Sequence, residues 1–272
     1  MLTFPHHDDL QKAIPLRKSR RSYDTSRIVS RSVVDSLKEF AASFTPYEGI
    51  RIEISEARVD LPVFKGIFAS FARANASLFA TLIVDNNQSF SRVKAGIVLE
   101  AFVLYCTAQS LGTCIISGTW YKDNIKRYYD LAENEDVLAV TPIGYCTDTK
   151  PFGERVLSTM AGSAKRKPMS TLILSDERTM ELPWMTAALE AARISPSAIN
   201  RQSWRFVTKD NQVAFFFDGR ETPNYPKTLD VGLCIANFLV ALPFGKSYDV
   251  TFHDVEDSTE DIYLVCTVSF AE

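Results

Sequence analysis

One segment, residues 93–110, is long enough for a helix and apolar around much of its circumference, and it constrains the fold more than any other feature. In a globular protein a helix of this kind is buried at the centre rather than laid on the surface. A second segment, residues 228–242, has the same texture of small and apolar side chains. The sequence therefore predicts two buried central helices around which the rest of the chain packs.

The other predicted elements recur in a similar order on the two sides of residue 167. Helical spacing of apolar residues predicts helices at 8–18, 31–44, 121–131 and 181–193, and apolar or alternating runs predict strands at 51–54, 78–84, 137–145, 203–208, 212–217, 248–253 and 261–270. A polar, basic segment at about 147–167 is interpreted as a connector. We predict an α+β fold with a mixed or antiparallel sheet, built from two related halves, 1–166 and 167–272, in one compact unit.

Composition excludes several classes of protein. The net charge of -3, with dispersed Lys and Arg, gives no basic footprint for nucleic acid. We find neither a secretory signal nor an apolar run of about 18 residues, and we expect a cytoplasmic protein without a membrane partner. Five cysteines lie in apolar segments without metal or redox spacing, and we interpret them as reduced core residues: Cys106, Cys114, Cys146, Cys234 and Cys266.

Three polar segments are candidates for a functional site, although each also has an ordinary structural explanation. The basic turn at 17–22 can bind a phosphate through charged hydrogen bonds, but basic stretches are more often solvated surface. The turn at 195–204 carries hydroxyl and amide groups, which also suit a proline-containing capped turn. The segment 111–118 can equally be a helix C-cap followed by a strand.

Taken together, these segments resemble the motifs of the nitroreductase family of flavoproteins. The family opens with Arg-x-Ser, which residues 20–22 match as Arg-Arg-Ser. Its second motif, Pro-Ser-x-x-Asn-x-Gln-Pro-Trp, is matched by residues 196–204, which depart from it only at Ser203. Three further segments resemble the family's Gly-Leu-Gly-Thr-Cys motif, its Gly-Tyr strand and its basic phosphate segment: 110–118, 143–145 and 165–168.

The second motif is displaced along the chain. In the family it lies before the central helix, where residues 41–50 here lack its serine and asparagine. The second half in turn lacks an Arg-x-Ser at 175–182. Family members are intertwined homodimers in which motifs from both subunits contact each flavin mononucleotide (FMN). The resemblance therefore implies a dimer fused into one chain, with one FMN between its halves, as a monomeric pseudo-dimer or a further homodimer.

The resemblance also implies which residues contact FMN. Charged and hydroxyl groups would bind the phosphate: Arg20, Arg21, Ser22 and one of Lys165 or Arg166, with Arg155 as a further candidate. The second motif would shape and supply contacts to the ribityl chain and pyrimidine edge: Ser195, Pro196, Ser197, Asn200 and Gln202. A backbone N–H at Ser117 or Gly118 would face the flavin N5. No side chain is assigned as a catalytic acid or base.

The function implied by the resemblance is an FMN-dependent oxidoreductase. It would pass electrons from NAD(P)H to a nitroaromatic, quinone or similar small-molecule acceptor in a ping-pong scheme. No Gly-x-Gly-x-x-Gly follows a predicted strand, so a Rossmann nicotinamide site is not supported, and no motif for a metal site is present. A non-enzymatic scaffold of the same fold, with or without flavin, is the alternative.

Overall fold

The computed structural model describes residues 2–64, 76–147, 165–177, 182–209, 211–222, 226–255 and 261–271. Its helices are α1 (His7–Ala13), α2 (Arg31–Ser43), α3 (Ser91–Ala108), α4 (Lys122–Ile125), α5 (Pro183–Arg193) and α6 (Lys227–Ala241). Its strands are β1 (Ile50–Glu56), β2 (Leu78–Asp85), β3 (Gly112–Thr113), β4 (Glu135–Gly144), β5 (Ile173–Glu177), β6 (Trp204–Lys209), β7 (Gln212–Asp218), β8 (Tyr248–Phe252) and β9 (Ile262–Phe270). Most of the predicted connector lies outside these ranges.

The strands form two sheets with related topologies. The first sheet has the order β1-β2-β4-β3 and is antiparallel throughout. The second sheet has the order β5-β6-β7-β9-β8. Within the described residues, β5 and β6 are its only parallel pair, and its other pairs are antiparallel. When β5 is left out, the second sheet has the same strand order as the first: its first, second, fourth and third strands along the chain are neighbours in that order. The prediction of an α+β fold with mixed or antiparallel sheets is confirmed.

The two central helices, α3 and α6, pack against each other, and the crossing depends on two glycines. A Cβ atom added to Gly96 would lie 2.8 Å from the Cα of Gly232 and close against the carbonyl oxygen of Leu229. A Cβ added to Gly232 would lie 2.8 Å from the Cα of Gly96 and close against the carbonyl oxygen of Val93. Real Cβ atoms do not approach other atoms so closely, so the helices touch backbone to backbone.

The core surrounds this crossing. α3 contacts β1 and β2, and α6 contacts β6 and β7, so each central helix lies on a different sheet. The far side of the first sheet carries a smaller apolar cluster that includes Phe79, Ile83 and Trp120. Because β2 is covered on both sides, its residues are buried almost throughout, as its continuous apolar sequence predicts.

Two predicted helices need correction, and one strand was not predicted. The first helix was expected at 8–18 but ends at Ala13, because Pro15 supplies no backbone N–H and disfavours helical geometry at the residue before it. The helix expected at 121–131 is limited to Lys122–Ile125, and the hydroxyl groups of Tyr128 and Tyr129 bond to the main chain and side chains of residues 55–61 instead. Strand β5 was not predicted at all.

The cysteines lie mostly in the core. Four of the five cysteines are buried and Cys146 is half-buried, all with free thiols. Within the described ranges, no helix is long and apolar enough to cross a membrane.

The helix crossing leads to a stability prediction. Gly96→Ala and Gly232→Ala should each lower the free energy of unfolding by about 1–3 kcal/mol, because backbone atoms of the facing helix cannot move aside for a methyl group. Urea unfolding monitored by circular dichroism measures the change as a shift in midpoint at constant slope. Arg92→Ala, at an exposed position of α3, is the control and should have little effect. Equal midpoints for all three variants would contradict the close crossing.

Candidate functional site

The first motif runs along an edge of the first sheet. Ser19 pairs with Thr113 of β3, and the amide of Arg20 donates to the carbonyl oxygen of Thr113 at 2.7 Å. The guanidinium of Arg20 donates through Nη2 to the carbonyl oxygen of Thr147 at 2.6 Å. Ser22 is buried and Arg21 is half-buried. The predicted phosphate-binding residues are thus fixed beside β3 and the end of β4.

Two glycines allow this segment to lie so close to the sheet. A Cβ atom at Gly112 would overlap Cys146 and lie 3.0 Å from the Cβ of Arg20. A Cβ atom at Gly144 would lie 3.1 Å from the ring of Tyr23. The hydroxyl of Tyr23 in turn lies 2.8 Å from the carbonyl oxygen of Arg20, to which it donates.

The third motif continues along the same sheet edge. Residues 112–116 lie antiparallel to β4, and the backbone of Ile116 bonds reciprocally to that of Val140 at 3.0 and 2.9 Å. Ser117 is half-buried, and Gly118 is exposed with φ +110°, a conformation that favours glycine. Ser117 and Gly118 follow Thr113 by four and five residues. No hydrogen bond among the described residues joins them to the other predicted site residues.

The second motif forms a strained loop between α5 and β6. Ile199, Asn200 and Gln202 have φ values of 48°, 57° and 48°. Left-handed geometry is unfavourable for a β-branched residue such as Ile199, which is also exposed. Backbone strain of this kind persists only where the surroundings impose it, and it often occurs at functional sites.

Hydrogen bonds from its own serines shape the loop further. Ser195 is fully buried, and its hydroxyl lies 3.4 Å from the carbonyl oxygen of Leu233 on α6. The hydroxyl of Ser197 accepts from the amide of Gln202 at 3.0 Å. Pro196 is half-buried. At Ser203, where the sequence departs from the family motif, the hydroxyl is buried without a hydrogen-bond partner in the described part of the chain.

The basic segment docks onto this loop. Asn200 donates through Nδ2 to the carbonyl oxygen of Lys165 at 2.9 Å, and its Oδ1 accepts from Nη1 of Arg166 at 3.0 Å. Gln202 accepts through Oε1 from the amide of Lys167 at 2.8 Å, and its Nε2 donates to the carbonyl oxygen of Lys165 at 3.2 Å. The structure thus brings four predicted site residues together: Lys165, Arg166, Asn200 and Gln202.

A residue that the sequence analysis missed, Asp230, anchors the loop to α6. Its buried carboxylate accepts from the amide of Ala198 at 3.1 Å and from Nε of Arg201 at 2.7 Å. Burial raises the pKa of Asp230 to about 6, against the opposing effect of Arg201. The available signal was an acidic residue in the first turn of an otherwise apolar helix, since buried carboxylates are nearly always paired.

A second missed residue, Glu100, joins the two parts of the site. Its side chain is fully buried in α3, and its Oε1 lies 3.5 Å from Nε of Arg17, three residues before Arg20. Burial raises the pKa of Glu100 to about 8, although Arg17 and Arg166 act in the opposite direction. Burial lowers the pKa of Arg166, and Arg17 and Arg193 lower it further. Arg17, Glu100 and Arg166 therefore form one electrostatic cluster, and it links the first motif to the second.

This cluster suits an anionic ligand. At neutral pH the raised pKa keeps Glu100 largely protonated. Guanidinium groups carry a positive charge in proteins. Arg193 is paired with Glu190 at 2.7 Å and adds little net charge. Nε of Arg17 is buried without a hydrogen-bond acceptor in the described ranges. Buried guanidinium charge beside an unsatisfied donor suits a phosphate monoester. The residues therefore fit the phosphate end of FMN.

The sequence profile of a family described as "Putative TM nitroreductase" matches residues 9–242. The chain belongs to this nitroreductase family. The match includes the segments that carry all the family motifs described above. No curated protein sequence matches the chain significantly.

Solved structures of nitroreductases align with the chain to different extents. A putative nitroreductase from Thermotoga maritima MSB8 aligns with a TM-score of 0.56 and 18% identity, over 99% of this chain and 97% of its own. A nitroreductase family protein from Clostridium novyi NT aligns with a TM-score of 0.43 and 19% identity, over 51% of this chain and 86% of its own. An FMN-dependent nitroreductase from Clostridium difficile R20291 aligns with a TM-score of 0.40 and 19% identity, over 52% and 88%.

The anchor at Asp230 is testable by mutation. Asp230→Ala should destabilise the protein by about 3–5 kcal/mol, because it leaves Arg201 and the amide of Ala198 without their buried acceptor. Asp230→Asn keeps one oxygen and should cost less. Asp249→Ala, an exposed acid on β8, serves as the control. If the Asp230 and Asp249 variants unfold at the same urea concentration, the anchoring role is wrong.

Glu100 leads to a prediction about pH. Its pKa is higher in the folded chain (about 8) than the ordinary 4.5, so its contribution to stability is present below about pH 4.5 and is lost as the pH rises towards 8. Glu100→Gln should therefore be more stable than wild type at pH 9, by a few kcal/mol, and similar at pH 4. Urea unfolding across this pH range measures the difference. Glu39→Gln, at an exposed site on α2, should track wild type, and the same behaviour in Glu100→Gln would refute the assignment.

Proposed function

We propose that this nitroreductase-family protein is an FMN-dependent oxidoreductase with one composite flavin site per chain. In this proposal residues 1–166 supply the first and third motifs and residues 167–272 supply the second. The observation that carries it is the cluster of Arg17, Glu100 and Arg166, which joins the segment of Arg20 to the loop of Asn200.

The phosphate would be bound by guanidinium groups from both motifs. Arg20 and Arg166 keep the roles expected from the sequence, and Arg17 joins them because it lies in the same electrostatic cluster. Arg21 and Ser22 follow Arg20 along the sheet edge, and exposed Lys165 lies beside the second motif. Arg155, the further candidate, lies outside the described residues.

The residues of the second motif would divide into two groups. Ser195 and Gln202 are buried and bonded within the protein, so they would act by fixing the loop backbone. Pro196 and Ser197 are only half-buried and would lie against the ribityl chain. Asn200 would serve both purposes, because it holds Arg166 while it remains partly accessible.

The chain's own contribution to the chemistry would be positional. FMN, when bound, supplies the electron transfer from NAD(P)H to a nitroaromatic, quinone or similar acceptor. A backbone N–H at Ser117 or Gly118 would offer a fixed hydrogen bond to the reactive edge of the flavin. Solvent can deliver the protons, so no side chain is needed as an acid or base. Donor and acceptor would use the same face in turn, which is a ping-pong scheme.

The composite site leads to a binding prediction. Arg20→Ala and Asn200→Ala, from different halves, should each weaken FMN binding by about 1–3 kcal/mol, the range for losing a hydrogen bond to a charged or buried group. Quenching of FMN fluorescence on titration measures the affinity and should give one FMN per chain. Arg92→Ala is the control. Unchanged affinity in both site variants, or two equivalent flavins per chain, would overturn the shared site.

The same preparation tests turnover. The reconstituted protein should be yellow and should bleach when NADH or NADPH is added without air, and it should regain colour with a nitroaromatic or quinone. A yellow protein that no nicotinamide reduces would favour a flavin-binding scaffold instead. A colourless protein that cannot be reconstituted with FMN would overturn the flavin site itself.

A further inference from the structure

Glu100 is an unusual residue for the centre of this fold. It is fully buried in α3, one helical turn from Gly96, and neither carboxyl oxygen has a hydrogen-bond partner within the described residues. Its Oε1 lies 3.5 Å from Nε of Arg17, in the segment that follows α1. A buried carboxyl group without hydrogen bonds is costly, so this position calls for an explanation.

The charged and titratable groups around Glu100 come from several elements. Arg17 lies 3.5 Å from it in the segment after α1, and the charge of Arg166, in the basic segment that docks onto the second motif, acts to lower its pKa. Cys234 faces it from α6, and burial raises the pKa of that thiol, so it stays neutral. Arg193 of α5 lies beyond Arg166. Among the described residues, the two guanidiniums that act on the pKa of Glu100 are therefore those that our proposed function assigns to the phosphate.

A phosphate and an ionised Glu100 would compete for the same two guanidiniums. When Glu100 is protonated, the charges of Arg17 and Arg166 are available to an anion. When it is ionised, it attracts both guanidiniums and repels a phosphate through a medium that screens poorly. Binding of the phosphate must then favour protonation of Glu100, because linkage between two sites is reciprocal.

We propose that Glu100 is a positioning residue of the flavin site, which takes up a proton when a phosphate monoester binds to Arg17 and Arg166. It acts through the two guanidiniums and does not touch the flavin. This inference rests on the proposed FMN site. It adds a consequence which that site alone does not require: FMN affinity falls as the pH rises past neutrality, while affinity for riboflavin, which has no phosphate, does not.

Titration of the apo protein with FMN at pH 7, 8 and 9 tests the inference. Relative to Glu100→Gln, the wild-type dissociation constant should rise about tenfold between pH 7 and pH 9, given a pKa of about 8. The comparison cancels any titration of FMN itself. Glu39→Gln should follow wild type, and riboflavin should show no such difference between wild type and Glu100→Gln. Inorganic phosphate should compete with FMN more strongly at pH 7 than at pH 9.

Calorimetry on wild type provides a second measurement that needs no variant. At pH 8, in two buffers of different ionisation enthalpy, FMN binding should take up about half a proton per site. No proton uptake, or the same pH dependence in Glu100→Gln as in wild type, would overturn this inference and leave the FMN site standing. Failure of FMN to bind at any pH would overturn the proposed function and this inference together.

Discussion

The contact on which the structure depends is the backbone-to-backbone crossing of α3 and α6 at Gly96 and Gly232. The contact is reciprocal, because each glycine faces the carbonyl oxygen of the residue three positions before the other glycine. Reciprocal contacts of this kind are characteristic of a two-fold interface. Each central helix lies on a different sheet, so the crossing also sets the distance between the sheets. The two sheets share a strand order, and the fused dimer that the sequence resemblance implies stays a prediction.

The polar groups of the site depend on the same crossing. Glu100 lies one turn after Gly96, and Asp230 lies two residues before Gly232, so the buried acids sit close to the point where the helices touch. Glu100 lies beside Arg17, close to the first motif, and Asp230 holds the loop of the second motif. Any shift of one helix against the other would therefore separate the two motifs. The relative position of the two motifs therefore depends on the packing of α3 against α6.

Much of this arrangement was predictable from the sequence, and the reasons differ from part to part. The central helices and most strands follow from apolar periodicity. The motif at 196–204 directs attention to the loop between α5 and β6, and the role of that loop in binding stays a prediction. Strand β5 was missed because it exists only by parallel pairing with β6, a contact that no local pattern encodes. Asp230 and Glu100 were missed because their importance comes from burial beside Arg201 and Arg17. The local sequence signal for each was an acidic residue within an otherwise apolar helix.

The buried state of α3 has a consequence for how the chain is made. Its partner glycine on α6 lies 136 residues further along the sequence, so at ordinary rates of synthesis the ribosome needs on the order of ten seconds to deliver it. During that interval the first sheet can form, but the face of α3 that carries Gly96 has nothing to cover it. The nascent chain thus carries a transient apolar surface until the segment of Gly232 has been made.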